Sequence, residues 1–275
     1  MVTNAESVSG IADLSHERTR LRVTGVDRVT FLQGQCTNDV SKFEVGQSCY
    51  AAFLTAKGKM RGEGHIVCLP GAFLLETSIG LAPSLGKFVI TEDVTIENVS
   101  GSWSEWLVVG DVKATLPADA IVFPHPLGTG VISRQALTPT LSGDSLEVLR
   151  VEAAVPKWGA EMDENTIPNE AGLEKRAINY DKGCYIGQET IARIKTYGHV
   201  NRQLIQCKVE GVEVPEGGAK IFVDARDVGQ VTSAVHSTRL GKPVALGYVQ
   251  REFAKVGTEL EINQKNAEVL RICGA

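Results

Sequence analysis

Apolar positions change period along the chain, and each change marks an element. Val29, Leu32 and Cys36 recur at i, i+3 and i+7, which predicts a helix with one apolar face. Asp27 stands where an N-cap belongs. The side chains of Thr37-Asn38-Asp39 compete for backbone hydrogen bonds and predict the helix end. Short β-branched or aromatic runs predict strands over 21–25, 64–69, 73–76, 93–98 and 106–109, with Pro70-Gly71 turning between the second and third. Asp144-Ser-Leu-Glu147 has capping-box spacing. The helix it opens, through Leu146, Leu149 and Val151, must stop before Pro156. The charged, aperiodic segment 161–165 predicts a solvated loop.

Beyond Gly198 the texture changes. Strands are predicted over 204–209, 219–223, 228–235 and 244–249, separated by Gly, Pro and Asp turns, a spacing that suits a small all-β barrel or sandwich. The shift places a boundary near residue 200, dividing the chain into a body at 1–200 and a C-terminal unit at 201–275.

Composition and charge narrow the classes. The 275 residues carry 28 Lys+Arg and 33 Asp+Glu, a formal net charge of −5. Attachment to nucleic acid or anionic lipid by bulk charge is thereby disfavoured, although a local basic groove stays open. Hydrophobic residues make up 43%, a globular composition. The least charged stretch, 64–86, holds only Glu76 as a fixed charge, but Pro70-Gly71 and Pro83 interrupt it, so no membrane-spanning helix is expected. The first twenty residues lack a basic region followed by an apolar one. Six scattered cysteines without a CxxC pair read as reduced thiols of a cytoplasmic protein.

No phosphate loop, dinucleotide turn, zinc-protease helix or nucleophile elbow occurs, and the five histidines are dispersed. One motif stands out, Asp181-Lys-Gly-Cys-Tyr-Ile-Gly-Gln-Glu189, at the start of a helix running to about Lys195. Lys182 two residues from Cys184 favours the thiolate, and unpaired helix N–H groups add to that. Equally, Cys184 reads as a small buried hydrophobe, Lys182 as a surface charge and Glu189–Arg193 as an ordinary i, i+4 pair. Lys57, Lys59 and Arg61 alternate with uncharged residues, so a strand would project them to one face. That face is either an anion-binding patch or simply solvated.

Lys182-Gly-Cys-Tyr-Ile-Gly-Gln-Glu189 resembles the signature of YgfZ-type folate-binding proteins, relatives of the glycine-cleavage T-protein and of mitochondrial iron–sulfur assembly factors. Further similarity lies in Asp13-Leu-Ser-His16, Val23-Thr-Gly25, Phe31-Leu-Gln33, Thr37-Asn-Asp-Val40, Leu149-Arg-Val-Glu152, Trp158-Gly159, Pro168, Ala171-Gly-Leu173 and the 243–248 region. The resemblance implies an α+β fold of three compact units around a central folate-binding opening. Two of these are interleaved α/β units and the last is a small β-barrel.

It also implies tetrahydrofolate, or a one-carbon derivative, as the bound cofactor. Glu152 aligns with the acidic residue that relatives use on the pterin, a bidentate match to N–H donors. Trp158 and Tyr185 are either pocket walls or core. Arg193 either meets the glutamate tail or pairs with Glu189. Gly183, Gly187, Gln188 and Glu189 complete the expected binding segment, with Cys184 and Lys182 as its chemical pair. The T-protein's catalytic aspartate has no obvious equivalent; Glu63 lies close, in a different context.

Two functions follow from the resemblance. One is a tetrahydrofolate-binding accessory factor for iron–sulfur cluster assembly or repair, indirectly supporting tRNA modification. The other is a folate-dependent one-carbon transferase of aminomethyl type. Expected partners are folate and iron–sulfur proteins or their assembly machinery, with no membrane and no established contact to nucleic acid.

Overall fold

A computed structural model describes residues 8–112 and 115–274; the first seven residues, which carry part of the leader expectation, lie outside them. Two antiparallel sheets and a barrel hold all fifteen strands among the described residues. The first sheet runs in the order β3 (Ser48–Leu54), β4 (Met60–Leu69), β5 (Ala72–Ser78), β2 (Arg18–Thr24) and β6 (Thr95–Asn98). The second runs β1 (Gly10–Asp13), β7 (Ser104–Val109), β9 (Gly128–Ser133) and β8 (Ile121–His125). The closed barrel comprises β10 (Arg202–Val209), β13 (Lys242–Gln250), β12 (Arg226–Ser237), β11 (Lys220–Val223), β14 (Glu259–Ile262) and β15 (Lys265–Ile272). It closes because β10 pairs with both β13 and β15, leaving no edge.

Helix α1 (Arg28–Gln35) lays Phe31 and Leu32 on Leu21, Phe53, Ile66, Phe73 and Leu75 of the first sheet. Its cap differs from expectation. Asp27 makes no side-chain cap bond and instead accepts the Asp93 N–H, fastening β6's approach to the helix start. Helix α2 (Leu81–Gly86) covers the same core.

Helix α3 (Gly143–Glu152) starts two residues earlier than the capping-box spacing predicts: Ser142 is its N-cap and accepts the Ser145 N–H. Glu147 is thereby freed to accept from Arg150. Val151 and Ala154 pack on Leu204, Val244 and Leu246 of the barrel, so α3 joins body to barrel. The short α4 (Glu174–Ala177) and α5 (Gln188–Tyr197) complete the α-helices among the described residues, and one 3-10 turn follows at Arg251–Phe253. None of these helices is long and apolar enough to cross a membrane.

The segment 161–165 is not a solvated loop throughout. Glu161 is buried, with its carboxylate on Arg150 Nη1 at 2.7 Å, on both Thr232 and Ser233 hydroxyls and on the Lys157 N–H. A charge looks loop-like in the sequence; here three elements converge on it. The Lys57–Lys59–Arg61 face is also absent, because Lys57 and Gly58 lie in the turn between β3 and β4. Arg61 folds inward onto the Leu54 carbonyl, Ser84 and Gln35, with its guanidinium over the Phe88 ring.

Candidate functional site

Strand alternation builds the site. On β2, Arg18 and Arg20 share a face; on β4, Glu63 and His65 share one; Glu76 on β5 registers against both Arg20 and His65. Five charged or titratable side chains thus emerge on one side of the first sheet, where β7 of the second sheet and α3 meet it. The result is a cavity of about 210 Å³, walled by Leu14, Leu107, Leu146 and Trp158. It continues past Tyr50, His65, His125 and Arg176 into a wider mouth of about 480 Å³ that reaches Lys175.

Arg18 is the hub. Its Nε donates to Glu76, and its two terminal nitrogens donate to Glu63, Nη2 to Oε2 at 3.0 Å. Burial disfavours the guanidinium charge, but the two carboxylates outweigh it and raise its pKa well above the ordinary value. Burial likewise opposes ionisation of Glu76. Arg18 and His65 reverse that and hold its carboxyl well below the usual range. His65 Nδ1 lies 2.8 Å from Glu76 Oε2. Arg176 stacks over the Tyr50 ring at 3.8 Å. His125 accepts the Leu127 N–H at Nδ1, 3.2 Å; crowding by protein, then the neighbouring His65, lowers its pKa to about 3.

Several residues singled out in the sequence sit elsewhere. Glu152 points at the barrel: Ser237 Oγ donates to its Oε1, and Arg239 lies 4.0 Å away. A polar partner waiting on β12 captured it, so it does not line the cavity. Lys182 does not polarise Cys184. Its ammonium is buried and donates to the Gln33, Cys36 and Asn38 carbonyls at 2.8, 2.7 and 2.7 Å, which uses all three hydrogens. Burial lowers its pKa.

Cys184 is exposed. Tyr185 is packed in the core with Leu54, Ala177 and Ile178, and burial pushes its phenol up to about 12. Gln188 opens α5, half-buried, and Glu189 pairs with Arg193 at 2.9 Å on the exposed face. Gly187 has φ +87°, and a Cβ there would meet the Thr55 carbonyl at 2.6 Å, whereas Gly183 faces open space. Of the residues the sequence singled out for binding, Trp158 lines the cavity.

Arg18, His65, Glu76, Glu105 and Arg176 were not anticipated. One signal was present: Glu76 is the lone fixed charge in an otherwise apolar stretch. A carboxylate inside an apolar strand pair must find a cation or a ligand.

Comparison with known proteins places these elements in context. Residues 2–115 match the GCVT N-terminal domain, and residues 202–271 match the glycine cleavage T-protein C-terminal barrel domain. An aminomethyltransferase of Thermosynechococcus vestitus is 27% identical over 94% of this chain and 81% of its own length. A putative chloroplastic transferase of Arabidopsis thaliana is 28% identical over 92% of this chain and 68% of its own. The crystal structure of glycine cleavage system aminomethyltransferase T from Bartonella henselae superposes with a TM-score of 0.81 at 19% identity. That match covers 96% of this chain and 85% of the other, and shows a shared fold.

Proposed function

The chain belongs to the glycine-cleavage T-protein-like superfamily, and we propose that it binds tetrahydrofolate or a one-carbon derivative in the cavity lined by Glu63 and Trp158. Its role in this proposal is that of a cytoplasmic accessory factor for iron–sulfur cluster assembly or repair, with tRNA modification as an indirect beneficiary. The observation that carries the folate part is the Arg18-braced pair Glu63 and Glu76 among apolar walls. A reduced pterin offers flat apolar faces to such walls and an edge of N–H donors to carboxylates. The wider mouth, with Lys175 and Arg176, suits an anionic glutamate tail.

The iron–sulfur part rests on the 182–189 signature and on Cys184 standing exposed. A soft thiolate suits transient iron or sulfur transfer, and one cysteine cannot hold a cluster alone. Remaining ligands must come from an iron–sulfur client or assembly protein.

Calorimetric titration of the reduced protein with tetrahydrofolate tests the first part: saturable binding, weakened by Glu63→Gln, is expected, and no binding sinks it. Cys184→Ala tests the second. The variant should bind folate normally yet fail to restore cluster-dependent enzymes in a deletion strain; full restoration removes the cluster role.

One observation favours the transferase alternative. Glu63 lines the cavity, so an acidic group stands at the centre even without the aspartate of the T-protein pattern, and a carboxyl there can move a proton. Turnover of methylene-tetrahydrofolate with an amine donor, abolished in Glu63→Gln, would put this alternative ahead.

A further inference from the structure

Glu105 is set beside Leu107 on one face of β7, and both residues line the cavity. The side chain of Glu105 is only 2% exposed, and its Oε2 has no hydrogen-bond partner. The cation closest to hand is Arg20 on β2, whose Nη1 lies 3.9 Å away. Both Nη1 hydrogens already serve backbone: they donate to the Ser15 and Arg18 carbonyls at 2.8 and 2.7 Å. Glu63 on β4 and Glu76 on β5 add negative charge nearby, and Arg18 on β2 is committed to both of them. An ionised carboxylate in that setting has no donor to satisfy it, so the neutral form is favoured. Burial first, then Glu76, raises the Glu105 pKa well above the usual carboxyl range, in keeping with the geometry.

We propose that Glu105 stays protonated at neutral pH and donates a hydrogen bond to a carbonyl oxygen on the cavity's ligand. Glu63 and Glu76, as carboxylates, can only accept. The cavity therefore carries both kinds of group, and a heterocycle with an N–H beside a carbonyl satisfies both at once. The lactam edge of a reduced pterin is of that class. The folate proposal supplies only the identity of the heterocycle; the protonation state of Glu105 stands apart from it.

Infrared difference spectra of the full chain at pH 7, wild type minus Glu105→Gln, read the protonation directly. A protonated-carboxyl carbonyl band lost in the variant is expected, and its absence overturns the proposal. Binding reads the role. Glu105→Gln keeps a neutral donor and should hold tetrahydrofolate within about threefold of wild type, whereas Glu105→Leu should weaken it about tenfold. Glu105→Leu should also unfold at no lower denaturant concentration, because it removes an unsatisfied buried group. Wild-type affinity in a folded Glu105→Leu protein overturns the donor role. So does a wild-type preference for a 4-amino pteridine over its 4-oxo counterpart, since the amino group presents a donor where Glu105 needs an acceptor. If wild type binds no folate at all, the folate proposal falls, and the infrared band alone decides the case of Glu105.

Discussion

The Lys182 ammonium donates to the Cys36 carbonyl at 2.7 Å, holding the end of α1 with a residue 146 positions further along the chain. Two residues on, Cys184 faces solvent. The signature motif is therefore split between folding and display: Lys182, Tyr185 and Gly187 are consumed by packing, while Gly183 and Cys184 stand free of it.

Lys182→Met should separate these halves. It leaves three carbonyls at the end of α1 without their donor, at an expected cost of about 2–4 kcal/mol. Cys184→Ala touches no packing and should change stability by less than about 0.5 kcal/mol. Urea unfolding of both variants measures the difference. A Lys182→Met midpoint equal to that of wild type would remove the brace from consideration.

The two glycines of the motif should part in the same way. Gly187→Ala combines a left-handed φ of +87° with a Cβ 2.6 Å from the Thr55 carbonyl, so a loss of about 2 kcal/mol or more is expected. Gly183→Ala meets open space at an ordinary φ and should fold like wild type. Loss of complementation by a fully stable Gly183→Ala protein would then report a partner that approaches the backbone beside Cys184. Normal complementation would confine function to the thiol.

Legibility followed chemistry. The barrel strands β10 to β13, helix α1 and the sheet strands β2, β4, β5, β6 and β7 were readable because each buries an apolar face. β1, β3, β8, β9, β14 and β15 were missed: β3, SCYAAFL, is apolar at nearly every position, so it carries no alternation, and β8 contains Pro124. The cavity was the least legible part. Arg18, Glu63, His65 and Glu76 span 58 positions, and only the register of β2, β4 and β5 brings them together. Glu152 fits a folate-site pattern in the sequence, yet the pattern holds no information about Ser237, 85 residues away, which engages it.

Arg18→Met should expose how the cavity is held. It removes the counter-charge from two buried carboxylates, with an expected loss of about 3–5 kcal/mol near neutral pH. In wild type the Glu76 carboxyl is depressed in the folded state. Its contribution to stability is therefore full above the unfolded value of about 4.3 and is lost as pH falls further. Without Arg18 that pattern should reverse: protonation relieves the buried charge, and the variant should recover stability towards acid relative to wild type. Unfolding midpoints from pH 7 to 4 measure it. A variant deficit that stays constant across the range would count against charge as the cause.

His125 should give the acid limb of wild type its start. Its pKa falls to about 3 in the folded protein, against about 6.5 unfolded. A lowered folded pKa means the unfolded chain binds the proton first, so the stabilising contribution is complete above about pH 6.5 and declines below it. Glu105 acts in the opposite sense. Its raised pKa contributes stability below about 4.3 that is lost as pH rises, so the two partly mask each other in the total. His125→Asn isolates the first effect, because the amide oxygen can still accept the Leu127 N–H now taken by Nδ1 at 3.2 Å. The difference in unfolding midpoint between the two proteins should widen as pH rises from 4.5 to 6.5, in favour of wild type, and then level off. A difference that does not vary with pH would mean that His125 titrates alike in both states, and its burial would have no consequence for stability.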